Sequence, residues 1–174
     1  IRRYCHVGTG NYNPRTARIY EDVSVLTADP VVGDDLAQLF NFLTGYGRNV
    51  RYDRLLVAPQ SMRHQLEQLI DAEMDGPPGS GRIIAKMNSL VDGRLIERFY
   101  AASAAGVQVD LIVRGICCLR AGVPGLSDNI RVRSLVGRYL EHSRIFHFAN
   151  GGGPGRPFYF IGAADLMPRN LDRR

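Results

Sequence analysis

The residues best placed to do chemistry are His142 and Arg144, in the run Tyr139-Leu140-Glu141-His142-Ser143-Arg144-Ile145-Phe146-His147-Phe148. Ser143 to Phe148 reads as a short strand, on which residues two apart face the same side. His142 and Arg144 are therefore expected to meet one anionic group together. An imidazole attacks phosphorus or shuttles a proton, and a guanidinium grips phosphate oxygens with a planar fork. The spacing is short, and a buried histidine in a hairpin shares it. A glycine-rich turn, 150–157, follows the strand, then a second strand from Phe158 to Ile161 and the run Gly162-Ala163-Ala164-Asp165-Leu166-Met167-Pro168-Arg169-Asn170.

An internal echo favours the chemical reading. Val7-Gly8-Thr9-Gly10-Asn11-Tyr12-Asn13-Pro14-Arg15 near the start shares glycine, proline and arginine in register with Ile161 to Arg169, and Asn11 lies opposite Asp165. Two similar half-sites that pair into one active site leave such a trace. The later copy has His142 ahead of its glycine. The earlier copy has only Ile1 to Val7 before Gly8, so its histidine is expected upstream of Ile1, in a longer protein of which this chain is a piece.

His-x-Lys/Arg, a strand, then Gly-Ser/Thr-x-Asn resembles the half-site of the phospholipase D superfamily. The longer blocks HVGTGNYNPRTARIYED, NSLVDGRLIERFYAASAAGVQVDLIVRGICCL, GLSDNIRVRSLVGRYLEHSRIFHFANGG and GAADLMPRNLDRR resemble the phospholipase D-like polyphosphate kinases, over essentially the whole chain. That resemblance implies reversible transfer of the terminal phosphate of ATP to inorganic polyphosphate, with magnesium, through a phosphohistidine in the upstream half-site. It matches His142 to the second half-site histidine, in an acid/base or electrostatic role. Arg144 becomes a catalytic phosphate clamp where superfamily members often carry lysine. Tyr20, Arg114 and His142 become contacts to ATP or ADP. Thr9, Asn11, Arg15, Arg18 and Arg169 become contacts to phosphate or polyphosphate. The chain departs from the superfamily at Ala163 and Asp165, where Ser/Thr and Asn are usual; an ionised Asp165 there must pair with an arginine or orient His142. No metal ligand is assigned within the chain, since the Mg2+ ligands are expected upstream. The resemblance further implies a cytoplasmic homo-oligomer, allows peripheral membrane association, and gives no nucleic-acid partner. One complete half and the tail of another imply that the isolated 174 residues are inactive.

Two other classes fit parts of the pattern. A phospholipase D-like phosphodiesterase shares the half-site, and a non-catalytic polyanion-binding module needs only the net charge of +5. The long blocks favour the kinase. Of the 22 basic residues only Lys86 is lysine, and arginine suits bidentate phosphate contacts. The charge points to a polyanionic partner rather than to a fold. Three cysteines, Cys5 and the pair Cys117-Cys118, have no CxxC spacing, which argues against zinc or a disulfide framework and for reduced, cytosolic thiols. No apolar run reaches membrane-spanning length.

The elements that must position these residues follow from periodicity. Arg3 to Val7 and Asp22 to Leu26 read as strands. Asp29-Pro30 opens a helix whose stripe Val32, Leu36, Leu39, Phe40 and Leu43 is expected in the core, with Gly45 as its end. A polar stretch then places a boundary near Arg54: 1–54 as the C-terminal part of a first phospholipase D-like domain, 55–174 as most of a second. Leu55 to Ala58 reads as a buried strand, and Ser61 caps a helix with Leu66, Leu69 and Ile70 inward and His64 on the surface. Arg82 to Met87, a helix from Asp92 to Ala105 closed by Gly106, and Val107 to Val113 follow. Alternating strands and helices imply an α/β fold, a mixed and largely parallel sheet flanked by helices. Arg114, at the carboxyl end of a strand, stands where such sheets bind ligands.

Overall fold

The computed structural model describes residues 2–47 and 50–172. The early part of the chain forms β1 (Cys5–Gly8), a 3-10 turn (Thr16–Arg18), β2 (Tyr20–Glu21), β3 (Ser24–Thr27) and α1 (Pro30–Leu43). The helix starts where its local chemistry requires. Asp29 accepts the N–H groups of Val31 and Val32, and Pro30 lacks a donor at a position where none is needed. Gly45 takes up φ 86° just past its end, a conformation that favours glycine.

The later part forms α2 (Met62–Met74), β4 (Arg82–Met87), α3 (Gly93–Ala104), β5 (Gln108–Val113), β6 (Ile130–Arg133), β7 (Leu140–Glu141), β8 (Arg144–Phe148), β9 (Phe158–Gly162) and α4 (Pro168–Leu171). Its sheet runs β6-β5-β4-β8-β9. β4, β5 and β6 are parallel, while β8 and β9 add an antiparallel hairpin beside β4. β4 buries Ile83, Ala85 and Met87, and β5 buries Val109, Leu111 and Val113, the period-two pattern of a strand with one face in the core. α2 and α3 pack together over that face through Leu66, Ile70, Leu95 and Phe99. Each such side chain, fully buried, stabilises the fold by about 1.5–3 kcal/mol. The fold is the α/β class read from the sequence. None of the described helices is long and apolar enough to cross a membrane.

Several expectations are corrected. Leu55 to Ala58 is half-buried but joins no sheet. The buried Asp35 carboxylate accepts the N–H groups of Asp53, Arg54 and Leu55, at 3.0, 2.7 and 2.9 Å, so the segment finds its donors' partner in a side chain instead of a ladder. That bond also sets how α1 sits. Gly33 and Asp35 face inward, and Phe40 and Leu43 of the expected core stripe are 63% and 66% exposed. Ser61 stands at the start of α2, but its side chain makes no cap; its Oγ takes the Val57 N–H instead. β2, β6 and β7 were not anticipated, two of them being two residues long.

Two buried carboxylates hold the later part together. Glu73 accepts the N–H of Arg82 (2.9 Å) and of Asn150 (2.6 Å), tying the start of β4 to the turn after β8. Asp92 caps α3 through the Leu95 N–H and takes two bonds from the Arg63 fork, which also grips Asp172 beyond α4. The Arg63 hydrogen bonds hold the Asp92 carboxyl below the usual carboxylate range, against the opposing effect of its burial. A carboxyl depressed on folding stabilises the fold above its ordinary pKa of about 4 and loses that contribution as pH falls below it. Asp92→Asn is therefore expected to cost about 3 kcal/mol at neutral pH, combining a weakened cap with a half-partnered Arg63, and to flatten the acid limb of the stability curve. Urea unfolding at pH 7 and pH 3.5 checks this: equal losses at both pH values would show that the ionised pair contributes nothing.

Candidate active site

β4 and β5 end at Met87 and Val113, so Asn88 and Arg114 stand at their carboxyl ends. β8 runs antiparallel to β4, with Lys86 opposite Ile145, and so begins at that same end. Asp165 reaches it after β9, its carboxylate accepting the Asn88 and Ser89 N–H groups at 2.8 and 3.3 Å. The crevice at the carboxyl ends of parallel strands is thus ringed by Arg114, His142, Arg144 and Asp165.

The early part of the chain completes the ring. β2 pairs in parallel with β7, Tyr20 opposite Leu140 and Glu21 opposite Glu141. The His142 N–H extends this ladder to the Glu21 carbonyl, at 3.0 Å. The Tyr20 ring stacks on the His142 imidazole with centroids 4.4 Å apart. His142 Nδ1 lies 2.9 Å from Asp22 Oδ1, and His142 Nε2 lies 2.9 Å from Arg144 Nη1. A guanidinium only donates, so Nε2 accepts, and the imidazole proton sits on Nδ1 facing the Asp22 carboxylate. Both nitrogens and one face of the ring are held, by Tyr20 and Asp22 from the early part of the chain and by Arg144 two residues on.

Asp22 is itself braced. Thr9, fully buried, donates its hydroxyl to Asp22 Oδ1 at 2.7 Å and accepts the Val23 N–H at 3.1 Å. A methyl at Gly10 would overlap the Asp22 carboxylate, so this turn requires glycine. Thr9 therefore positions a carboxylate, where the sequence reading gave it a phosphate contact. Asn11, Arg15 and Arg169 are exposed, and none of them bonds to the His142 cluster.

Arg144 sits on the buried face of β8, and its fork is occupied. Nε and Nη2 donate to the two Asp165 oxygens at 3.2 and 3.0 Å, and Nη1 also donates to the His142 carbonyl at 2.7 Å. The Asn88 amide, oriented with its oxygen toward the fork, accepts from Nη1 and Nη2. His142 and Arg144 do share a face, but they meet each other. Asp165 pairs with an arginine, the first of the two roles its charge allowed.

The segment 141–143 is clamped from both sides. Lys86 Nζ donates to the Ser143 carbonyl and hydroxyl at 2.8 and 2.7 Å and lies 3.2 Å from Glu141 Oε2. Arg114 Nη1 donates to the Glu141 carbonyl at 2.7 Å. Sequence reasoning missed Asp22, Asn88 and Lys86. A lone lysine in an arginine-rich chain was the one available signal. Among the described residues no group of three or more His, Cys, Asp or Glu side chains could hold a metal ion. Asp22 and Asp165 already bind His142 and Arg144, so the residues present do not fit magnesium.

Comparison with known proteins gives a consistent family. The family description "Polyphosphate kinase C-terminal domain 2" matches residues 55–174, and "Polyphosphate kinase C-terminal domain 1" matches residues 1–49. The chain is 59% identical over 176 residues to a polyphosphate kinase of Synechocystis sp., covering 100% of the chain and 24% of that protein. It is 58% identical over 178 residues to a polyphosphate kinase of Streptomyces coelicolor, covering 100% of the chain and 23% of that protein. The crystal structure of a polyphosphate kinase from Porphyromonas gingivalis superposes with a TM-score of 0.85 at 43% identity, over 95% of the chain and 27% of that structure. The chain thus spans about a quarter of the length of the relatives it matches.

Proposed function

Because this chain belongs to the polyphosphate kinase family, with matched regions that are the C-terminal ones, we propose that it forms part of the active site of an ATP:polyphosphate phosphotransferase. The terminal phosphate of ATP passes to a histidine of the other half-site, outside these residues, and from there to the end of inorganic polyphosphate; each step is reversible. The observation that carries the reading is the three-sided clamp on His142, at the crevice where the sheet's carboxyl ends meet.

The clamp suits proton work. Asp22 keeps the proton on Nδ1 and leaves Nε2 as the working nitrogen. An entering phosphate oxygen competes with Nε2 for the Arg144 Nη1 donor. Once that bond yields, Nε2 can take the proton from the terminal phosphate of the acceptor, freeing that oxygen to attack phosphorus, and Asp22 holds the resulting imidazolium. Arg114 and Arg18 supply positive charge for phosphate oxygens, and Tyr20 fixes the ring plane. Magnesium would be held by residues outside this chain, as family membership implies, and no step here depends on it. A cytoplasmic homo-oligomer, with peripheral membrane attachment, completes the reading and rests on family membership alone.

The test is transfer of label. The intact protein carrying these residues is given γ-labelled ATP and polyphosphate, and in parallel bis-p-nitrophenyl phosphate. Label is expected in acid-precipitable polyphosphate, with release of ADP. Diester hydrolysis without transfer would assign the site to a phosphodiesterase instead.

A further inference from the structure

We infer that Lys86 is a positioning residue for His142: its ammonium fixes the bend from which the imidazole is presented. The inference rests on the proposed function, which gives His142 the proton transfer, and adds a residue that acts through the backbone around it.

The bend is where the chain changes sheets. β8 pairs with β4 from Phe148, opposite Ile83, to Ile145, opposite Lys86, and there the ladder ends. β7 pairs with β2 at Leu140 and Glu141, and the His142 N–H adds one bond to the same partner strand. Between the two ladders stands Ser143, only 5% exposed. A buried carbonyl at such a handover needs a donor. Lys86, the last β4 residue of the ladder, supplies it from its side chain. Nζ lies 2.8 Å from the Ser143 carbonyl, 2.7 Å from its hydroxyl and 3.2 Å from Glu141 Oε2. It thereby ties the residues on either side of His142 to the central strand of the main sheet.

The chemistry of the group fits this task and argues against a direct one. An ammonium has three donors, and three oxygens meet it here, so none is left for a phosphate. A guanidinium offers its donors in one plane and does not converge on three oxygens about a point. Every other basic residue of the 22 is arginine, so the one lysine stands where a compact cation is needed. Ser143 also lies between His142 and Arg144, and its place sets the 2.9 Å separation of Nε2 from Arg144 Nη1. A shift of about 1 Å at a reacting group is enough to cost about 10²-fold in rate.

The experiment takes the intact protein through Lys86→Met, Lys86→Arg and, as a control, Arg82→Met. Arg82 lies on the same strand, with a half-exposed guanidinium 3.3 Å from Asp110. Circular dichroism confirms each fold. Lys86→Met is expected to lose about 10²-fold in kcat for polyphosphate synthesis, with KM for ATP within about twofold. Lys86→Arg, which keeps the charge, should lose about tenfold in kcat, and Arg82→Met should match the unaltered protein. Hydrogen exchange gives a second reading that needs no turnover: the peptide spanning 139–146 should exchange faster in Lys86→Met, while that of β5 is unchanged. If Lys86→Met does not fold, Lys86→Arg against Arg82→Met decides by the same two readings. A protein that transfers no phosphate at all would sink the proposed function and leave exchange to decide the anchoring. Unchanged kcat in a folded Lys86→Met protein, a loss confined to KM, or unaltered exchange over 139–146 would overturn the role of Lys86. Full activity of Lys86→Arg would overturn the three-oxygen anchor.

Discussion

The His142→Ala variant of the intact protein keeps its fold and loses at least about 10²-fold in polyphosphate synthesis, the scale of a positioned acid or base. The fold survives because the His142 ring is held by polar groups at the strand ends and is not among the apolar residues packed around α2 and α3. Activity falls because no other group in the cluster can replace the imidazole. Arg144 and Lys86 already donate to Asp165 and to Ser143, and Asp22 faces Thr9 and Nδ1. Asp22→Asn sharpens the argument. The amide can turn its NH2 toward Nδ1, which drives the proton to Nε2 and against the Arg144 donor. That variant is expected to lose about 10-fold or more in kcat with a changed pH profile, whereas a merely structural Asp22 would leave the profile alone. Near wild-type turnover in a folded His142→Ala protein would make the histidine structural.

Breaking the Arg144–Asp165 pair should have the largest effect on stability. Both side chains are below a tenth exposed, and Arg144 donates two hydrogen bonds to Asp165. Arg144→Ala leaves the buried Asp165 carboxyl without its cation, facing the Asn88 and Ser89 amides, and is expected to cost about 3–5 kcal/mol. The double variant Arg144→Met/Asp165→Leu removes both charges together and should recover most of that loss. It should not recover activity, because the Arg144 donor that an entering phosphate oxygen takes up is then gone. Urea midpoints and turnover, measured on the same preparations, separate the two effects. A double variant as unstable as the single one would mean that packing, and not the uncompensated charge, sets the cost.

What could be read from the sequence was local. The Asp29-Pro30 start of α1, the extent of β4, and the Gly106 end of α3 each depend on residues within one turn or strand, and each was found in place. What could not be read was carried by distant partners. The run 55–58 has the composition of a strand, but Asp35, far back in α1, holds the amides leading into it. β2 and β7 are too short to show a period. At the site, His142 and Arg144 were legible as chemistry because of their types and spacing. Asp22 was not, since 120 residues separate it from the imidazole it orients. The Gly8-Thr9-Gly10 turn was noticed for its glycines. Its work, bracing a carboxylate, appears only when β3 folds back along β1.

The two-residue ladder between β2 and β7 has a kinetic meaning. Two residue pairs and the His142 amide bond carry that seam, against five strands and two helices in the main core. Segments with so few backbone bonds open well before the whole molecule does. One such fluctuation withdraws Tyr20 and Asp22 from the imidazole at once, while Leu111 and Phe148 remain packed. In deuterium, the His142 amide would then exchange ahead of those of β5. On warming, turnover would fade at temperatures where the far-ultraviolet signal of the helices is still intact.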